Sequence, residues 1–274
     1  TAETTSLDFT ARLYFYSGSS NVEITLSVQN RQLDSMAHFV GIDRLAVELP
    51  FKTAGKALVS LAMDGGTVTQ PLADSGVRLA QTQWDTCRLN GDVAGEKYDG
   101  WVRLASDVGT LTAGTRWSWQ VNPVGVAVQS DGIVSLDLKS AEGELVELYT
   151  AGAKTRFLFL HFARGQAPEP QAIAAGIRQP LFAVSDPNWY CQETRVFGDL
   201  YANNPALFQP QYRDVIARYQ EQIDACLTQI VDQRPRPEWE VNEFGWLNFG
   251  SGLHHRTCVR EDEHESWWDS NYYD

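Results

Sequence analysis

The chain has 274 residues, 43% of them hydrophobic and 21% charged, with a formal net charge of -13 at pH 7. That length is enough for one large β domain or two ordinary ones with a sizeable core. The negative charge excludes nucleic acid as a partner, because phosphate binding needs a basic footprint. No apolar run approaches the roughly eighteen residues of a transmembrane helix, so no membrane partner is expected. The sequence opens on Thr1 without a basic-then-apolar leader. It is therefore expected to be the processed form or a segment of a longer protein, secreted or periplasmic, whose signal is not in this chain. Cys87, Cys191, Cys226 and Cys258 form neither a disulfide framework nor the C-x-x-C pairs of a zinc site. Buried thiols with at most one bridge are the expectation.

Up to about Gly165 the chain reads as strands. Leu13-Tyr14-Phe15-Tyr16 is an aromatic-rich run, and Val22, Ile24, Leu26 and Val28 then alternate with Glu23, Thr25, Ser27 and Gln29. Arg116 to Val121 and Phe157 to Phe162 are further aromatic-rich runs of strand length, and Val134, Leu136 and Leu138 alternate with Ser135, Asp137 and Lys139. Turn signals separate them at Asp64-Gly65-Gly66, Asn90-Gly91-Asp92, Asp131-Gly132 and Glu142-Gly143. Many short strands with polar outer faces predict a mainly β fold, a large antiparallel β-sandwich of two packed sheets. His38 and His161 sit in apolar surroundings and read as satisfied structural residues.

From Ala167 to Pro187, four prolines (Pro168, Pro170, Pro180, Pro187) are expected to break any regular element. Asp186 to Cys191 reads as an exposed loop, where Trp189 is a candidate sugar contact or, alternatively, packs on the sandwich. One amphipathic helix follows, over about 210–232. Pro210 suits its first turn, and Tyr212, Val215, Ile216, Tyr219, Ile223, Cys226, Leu227, Ile230 and Val231 recur at three- and four-residue spacing. Arg234-Pro235-Arg236-Pro237 ends it. Such a helix must cover a sheet face or dock on a neighbouring domain.

The segment from Glu243 to Asp274 holds most of the side chains suited to chemistry. His254 and His255 follow the turn Gly250-Ser251-Gly252, beside Arg256 and Arg260. A turn histidine can be a general base, a proton donor or a metal ligand, or simply a surface residue. An arginine there can neutralise a substrate carboxylate, or pair with Glu261, Asp262, Glu263 or Glu265 instead. That acidic run could hold a divalent cation near Glu261, Asp262 and Glu263, although it lacks the spacing of a calcium loop and a solvated turn is the default. Trp267, Trp268, Asn271, Tyr272 and Tyr273 offer stacking faces, an amide and phenols; such aromatics also serve as packing or interface residues. No cofactor is expected: there is no G-x-G-x-x-G, Walker loop, G-x-S-x-G or H-E-x-x-H.

Arg12-Leu13-Tyr14-Phe15-Tyr16-Ser17-Gly18-Ser19, with Gly41-Ile42-Asp43-Arg44-Leu45, resembles the opening of the central β-sandwich of exo-acting rhamnogalacturonan lyases and the related YetA-like proteins. Phe244-Gly245-Trp246-Leu247-Asn248-Phe249-Gly250 and Trp268-x-x-Asn271-Tyr272-x-Asp274 resemble that sandwich's exit. The resemblance spans nearly the whole chain as scattered short motifs. It implies a sandwich domain over 1–240 that includes the helix, an exit segment over 241–274, a small barrel before and a helical α/α toroid after. His254-His255 and the acidic run interrupt the exit where the pattern has only a short polar loop.

Together these features point to the middle domain of a multidomain polysaccharide lyase, acting by β-elimination on a uronate-containing glycan. In that reaction Arg256 would spread the charge of the C6 carboxylate, His254 or His255 would take the C5 proton, and Tyr272 or Tyr273 would protonate the leaving oxygen. Asn271 would assist, with Trp267, Trp268 and Trp189 against the sugar rings. The expected partners are an acidic polysaccharide or oligosaccharide and the flanking domains of the same chain. The alternative is a non-catalytic glycan-binding or scaffolding sandwich; a glycoside hydrolase accessory domain comes third.

Overall fold

The computed structural model describes residues 7–31, 39–178, 183, 185–196, 198, 204–232, 244–247, 252–254 and 268–270. The chain divides into two compact units, one formed by Thr1–Gln179 with Glu243–Asp274, the other by Pro180–Asn242.

The first unit is the expected antiparallel sandwich. In chain order it begins with β1 (Asp8–Phe15), β2 (Asn21–Gln29), β3 (Phe39–Ile42), β4 (Leu45–Pro50), β5 (Leu58–Met63) and β6 (Gly66–Pro71). Then come β7 (Val77–Gln83), β8 (Thr86–Leu89), β9 (Asp92–Gly95), β10 (Tyr98–Ser106) and β11 (Gly109–Thr115). The run closes with β12 (Val124–Val128), β13 (Ile133–Lys139), β14 (Val146–Tyr149) and β15 (Ala153–Ala163). One sheet has the order β1-β2-β15-β11-β10-β5-β6 and the other β4-β13-β12-β7-β8-β9, while β3 pairs with β14.

The two-residue alternation sets the layers, because successive side chains of a strand point to opposite faces. Val22, Ile24 and Leu26 meet Leu79, Val126, Leu136 and Leu138 from the facing sheet in one core. The turn signals work as read: Asn90 and Gly91, at φ 52° and 94°, close the β8–β9 hairpin in the left-handed region that such a tight turn requires.

Two secondary-structure expectations fail in this unit. Arg116 to Val121 is not a strand; β11 ends at Thr115, Trp117 takes φ 60°, and the Val121 amide donates to the Trp117 carbonyl in a turn. Its aromatics serve packing rather than a pleat: Trp119 meets the Phe244 ring edge-on at 4.9 Å, with the Lys97 ammonium 4.6 Å from its centroid. The proline-rich stretch contains a helix, α1 (Pro170–Arg178). Pro170 starts it, since a first-turn proline loses no hydrogen bond. Through Ala174, with Ile173 and Ile177 beside it, α1 packs on Trp101 and Phe159 on the outer face of the seven-stranded sheet. It is pinned by Arg178 on the Asp99 carboxylate and by Gln171 on Thr67 at 2.8 Å, while Arg103 holds the Pro168 carbonyl just before it.

The strap Phe244–Leu247 closes one end of the sandwich. Trp246 is buried with Val28, Ile42, Val146 and Leu148, and the Gly245 amide donates to the Gln120 carbonyl at 2.8 Å. Beneath it lies Arg156, fully buried, whose Nη2 donates to the carbonyls of Leu138 (2.7 Å) and Val121 (3.3 Å). Burial without a carboxylate lowers its pKa to about 9, so the guanidinium is still charged at neutral pH. A short hairpin, β16 (Gly252–His254) with β17 (Trp268–Ser270), also belongs to this unit.

The second unit holds α2 (Pro210–Asp232), matching the expected helix, preceded by a single 3-10 turn at Pro205–Leu207 whose start is capped by the Asn204 side chain. The expected loop around Trp189 is instead a π-helix, Trp189–Thr194.

Candidate functional site

Of the residues singled out in the sequence, His255, Arg256, Trp267, Asn271, Tyr272 and Tyr273 lie outside the described residues, as do Glu261, Asp262, Glu263 and His38. His254 and Trp268 are brought together at the backbone level, directly opposite each other in the β16–β17 register. Trp189 sits about half exposed on its π-helix in the other unit. Among the described residues no group of three or more His, Cys, Asp or Glu is placed to hold a metal ion.

A platform that the sequence reading missed lies on the outer face of β1, β2 and β15. Register fixes it. Arg12, Thr25 and Phe157 form one row across the three strands, and Tyr14, Glu23 and Phe159 form the next. Adjacent strands are about 4.8 Å apart, so Arg12 and Phe157 stand about 10 Å apart with Thr25 as the floor between them. Phe157 and Tyr14 are both exposed, unlike Phe159, which α1 covers. Tyr16 borders the platform and donates its hydroxyl to the Glu23 carboxylate at 3.3 Å. Ser27 and Thr155 share a 2.7 Å hydroxyl bond one row further on.

Arg116 closes the Phe157 side. Its guanidinium carbon lies 4.7 Å from the Trp117 ring and 5.8 Å from the Phe157 ring, a cation within reach of two aromatic faces. The Arg116 amide bonds the Phe157 carbonyl at 2.9 Å, which locks this turn to the strand. Its Nε is buried without a hydrogen-bond partner among the described residues. Exposed rings, hydroxyls, a carboxylate and two guanidiniums, on the sheet and the turn locked to it, form a surface for a flat, hydroxyl-rich ligand. One signal could have found it: Phe157 shares the parity of Thr155, not that of the core-facing Leu158 and Leu160.

His161 lies further along the same face and is not fully satisfied. It is buried opposite Thr112, with Nδ1 lacking a hydrogen-bond partner among the described residues, and Thr112 accepts from Arg103 Nε at 2.9 Å. Desolvation and then the Arg103 cation lower the His161 pKa, which keeps the imidazole neutral at neutral pH.

No family model matches the chain, and no curated protein matches it. Among solved structures it is similar to a protein provisionally assigned as an aldose 1-epimerase from Klebsiella pneumoniae subsp. pneumoniae MGH 78578. The TM-score is 0.38 at 10% identity, over 65% of this chain and 50% of that one. A second, with the same provisional assignment from Escherichia coli K12, gives a TM-score of 0.33 at 12% identity, over 58% of this chain and 61% of that one. The chain thus spans between half and three fifths of the length of these structures. Neither likeness carries a residue role or an activity to it.

Proposed function

We propose that this chain is a glycan-binding β-sandwich that takes hydroxyl-rich, acid-bearing chains on the outer face of β1, β2 and β15. The observation that carries this reading is the cluster of Trp117, Arg116 and Phe157 beside exposed Tyr14 and Arg12. Rings supply faces for the apolar side of a sugar, and the guanidiniums supply bidentate donors for a carboxylate. Strands hold Arg12, Tyr14 and Phe157, and the bond from the Arg116 amide to the Phe157 carbonyl ties the Arg116–Trp117 turn to β15, so little ordering is left to offset on binding. The overall charge of -13 opposes long-range attraction of a polyanion. Recognition therefore rests on these local cations.

The test is calorimetric titration with neutral and uronate oligosaccharides. Binding is expected, stronger for uronates, with Phe157→Ala and Tyr14→Ala each weakening it about tenfold, or about 1.4 kcal/mol. Both side chains are exposed, so the fold is retained. Absence of binding to every oligosaccharide, or full affinity in both variants, overturns the proposal.

A second reading, the middle domain of a uronate lyase with the rhamnogalacturonan-lyase resemblance, is favoured by the register that sets His254 opposite Trp268. In it His254 or His255 is the base, Arg256 binds the carboxylate, Tyr272 or Tyr273 is the acid, and flanking domains complete the site. A longer form of the protein incubated with uronate polysaccharides should release unsaturated product absorbing in the ultraviolet. Binding without turnover leaves the module reading in place.

A further inference from the structure

The four outer strands of the two main sheets are not alike. β4 ends in Pro50 and carries Glu48, β6 runs from Gly66 to Pro71, and β9 is only four residues long. Short strands, prolines and charges are what keep a sheet edge from pairing with another chain. β1 has none of these protections apart from Asp8 and Arg12. It is eight residues long, has no proline or glycine, and is exposed at every position. Among the described residues nothing pairs with its outer side.

Its core-parity side chains are exposed as well. Register with β2 places Phe9, Ala11, Leu13 and Phe15 on the face of Val28, Leu26, Ile24 and Val22. Yet Phe9, Leu13 and Phe15 are 72%, 51% and 72% exposed, so the facing sheet does not reach them. An apolar row beside an unpaired backbone edge is a template for one more strand.

We propose that the occupant is β1 of a second copy of this chain, paired antiparallel about a two-fold axis through Ala11. In that register the inner face matches apolar with apolar: Ala11 meets Ala11, Phe9 meets Leu13, and Leu7 meets Phe15. On the outer face Arg12 meets Thr10, with Asp8 on the diagonal, where long side chains still reach. A shift by one pair towards the C-terminus would set Arg12 against Arg12, which like-charge repulsion disfavours. The symmetry makes the contact isologous, and the seven-stranded sheet becomes one of fourteen strands across the pair.

The experiment is light scattering after gel filtration of the whole chain at about 100 µM, a concentration that populates contacts of micromolar affinity. A dimer is expected. Leu13→Lys puts a charge on the apolar row at an exposed, foldable position, and should weaken dimerisation at least about tenfold. Ala11→Cys tests the register. Residues directly opposite in an antiparallel pair have Cα atoms about 4.5–5.5 Å apart, within disulfide range. Mild oxidation should therefore cross-link Ala11→Cys between chains, while Tyr14→Cys and the unmodified sequence stay uncross-linked. A monomer at this concentration overturns the proposal. So does a dimer that survives Leu13→Lys or fails to cross-link at position 11, since the occupant of β1 is then something other than a second copy.

Discussion

Arg156 and Trp246 donate to one acceptor, the Leu138 carbonyl oxygen, each at 2.7 Å. The guanidinium also lies 5.7 Å from the indole ring, so a cation with no carboxylate partner among the described residues is held by carbonyl dipoles and a π face.

Removing that indole should be costly. Trp246 is 2% exposed, so Trp246→Ala creates a cavity and uncovers Arg156. A loss of about 3–5 kcal/mol is expected. Urea unfolding with an unchanged slope is the check; a loss below 1 kcal/mol (about the size of a surface change) would mean that the strap is dispensable.

His161 gives a pH dependence with a definite sign. Its folded pKa is lowered by desolvation and Arg103, so between that value and the unfolded one of about 6.5 the unfolded chain binds more protons. Its contribution to stability is full above about pH 6.5 and is lost as pH falls below it. His161→Gln, which cannot titrate, should show a shallower fall in stability from neutral pH towards pH 5 in parallel denaturation series.

Two glycines should respond to alanine with opposite signs. At Gly114 a Cβ would collide with the Gly100 carbonyl oxygen and come within 2.7 Å of the Phe159 ring. Both are fixed, so Gly114→Ala should destabilise by about 1–3 kcal/mol. At Gly176, inside α1, the added Cβ meets nothing within 4 Å, and Gly176→Ala should stabilise by up to about 1 kcal/mol. Melting temperatures of the two variants on either side of the parent would confirm the contrast.

Cys87 should be inert while the protein is folded. It is fully buried, and desolvation, with Asp64 second, pushes its thiol up to about 12. Since the thiolate is the nucleophile, iodoacetamide at pH 8 should leave Cys87 unmodified until denaturant is added, as peptide mass spectrometry would show.

Much of the sandwich was legible because strands such as β2 turn a regularly spaced apolar face to the core. Val22 to Val28 and Val134 to Leu138 alternate with the pleat, and a period of two has no other simple reading. α1 was not legible because four nearby prolines read as breakers, although Pro170 occupies the one helical turn that tolerates it. The Arg116–Val121 run misled because its aromatics answer to Lys97 and Phe244, which are distant in sequence. The platform stayed hidden for a related reason. Phe157 looks like core material until register shows which face it takes, and register is a property of pairs of strands rather than of one.

The strap also sets the order in which a nascent chain can close. β15 ends at Ala163, whereas Trp246 lies 108 residues beyond the carbonyl it bonds. At about 5–20 residues per second, the ribosome adds the roughly 80 residues between strand and strap in on the order of 4–16 s. Through that interval both sheets can pair while the Arg156 end has no indole over it. A transcript truncated within the helical segment would therefore release a sandwich that is nearly complete yet open to water at one end, a substrate for chaperones rather than a finished domain.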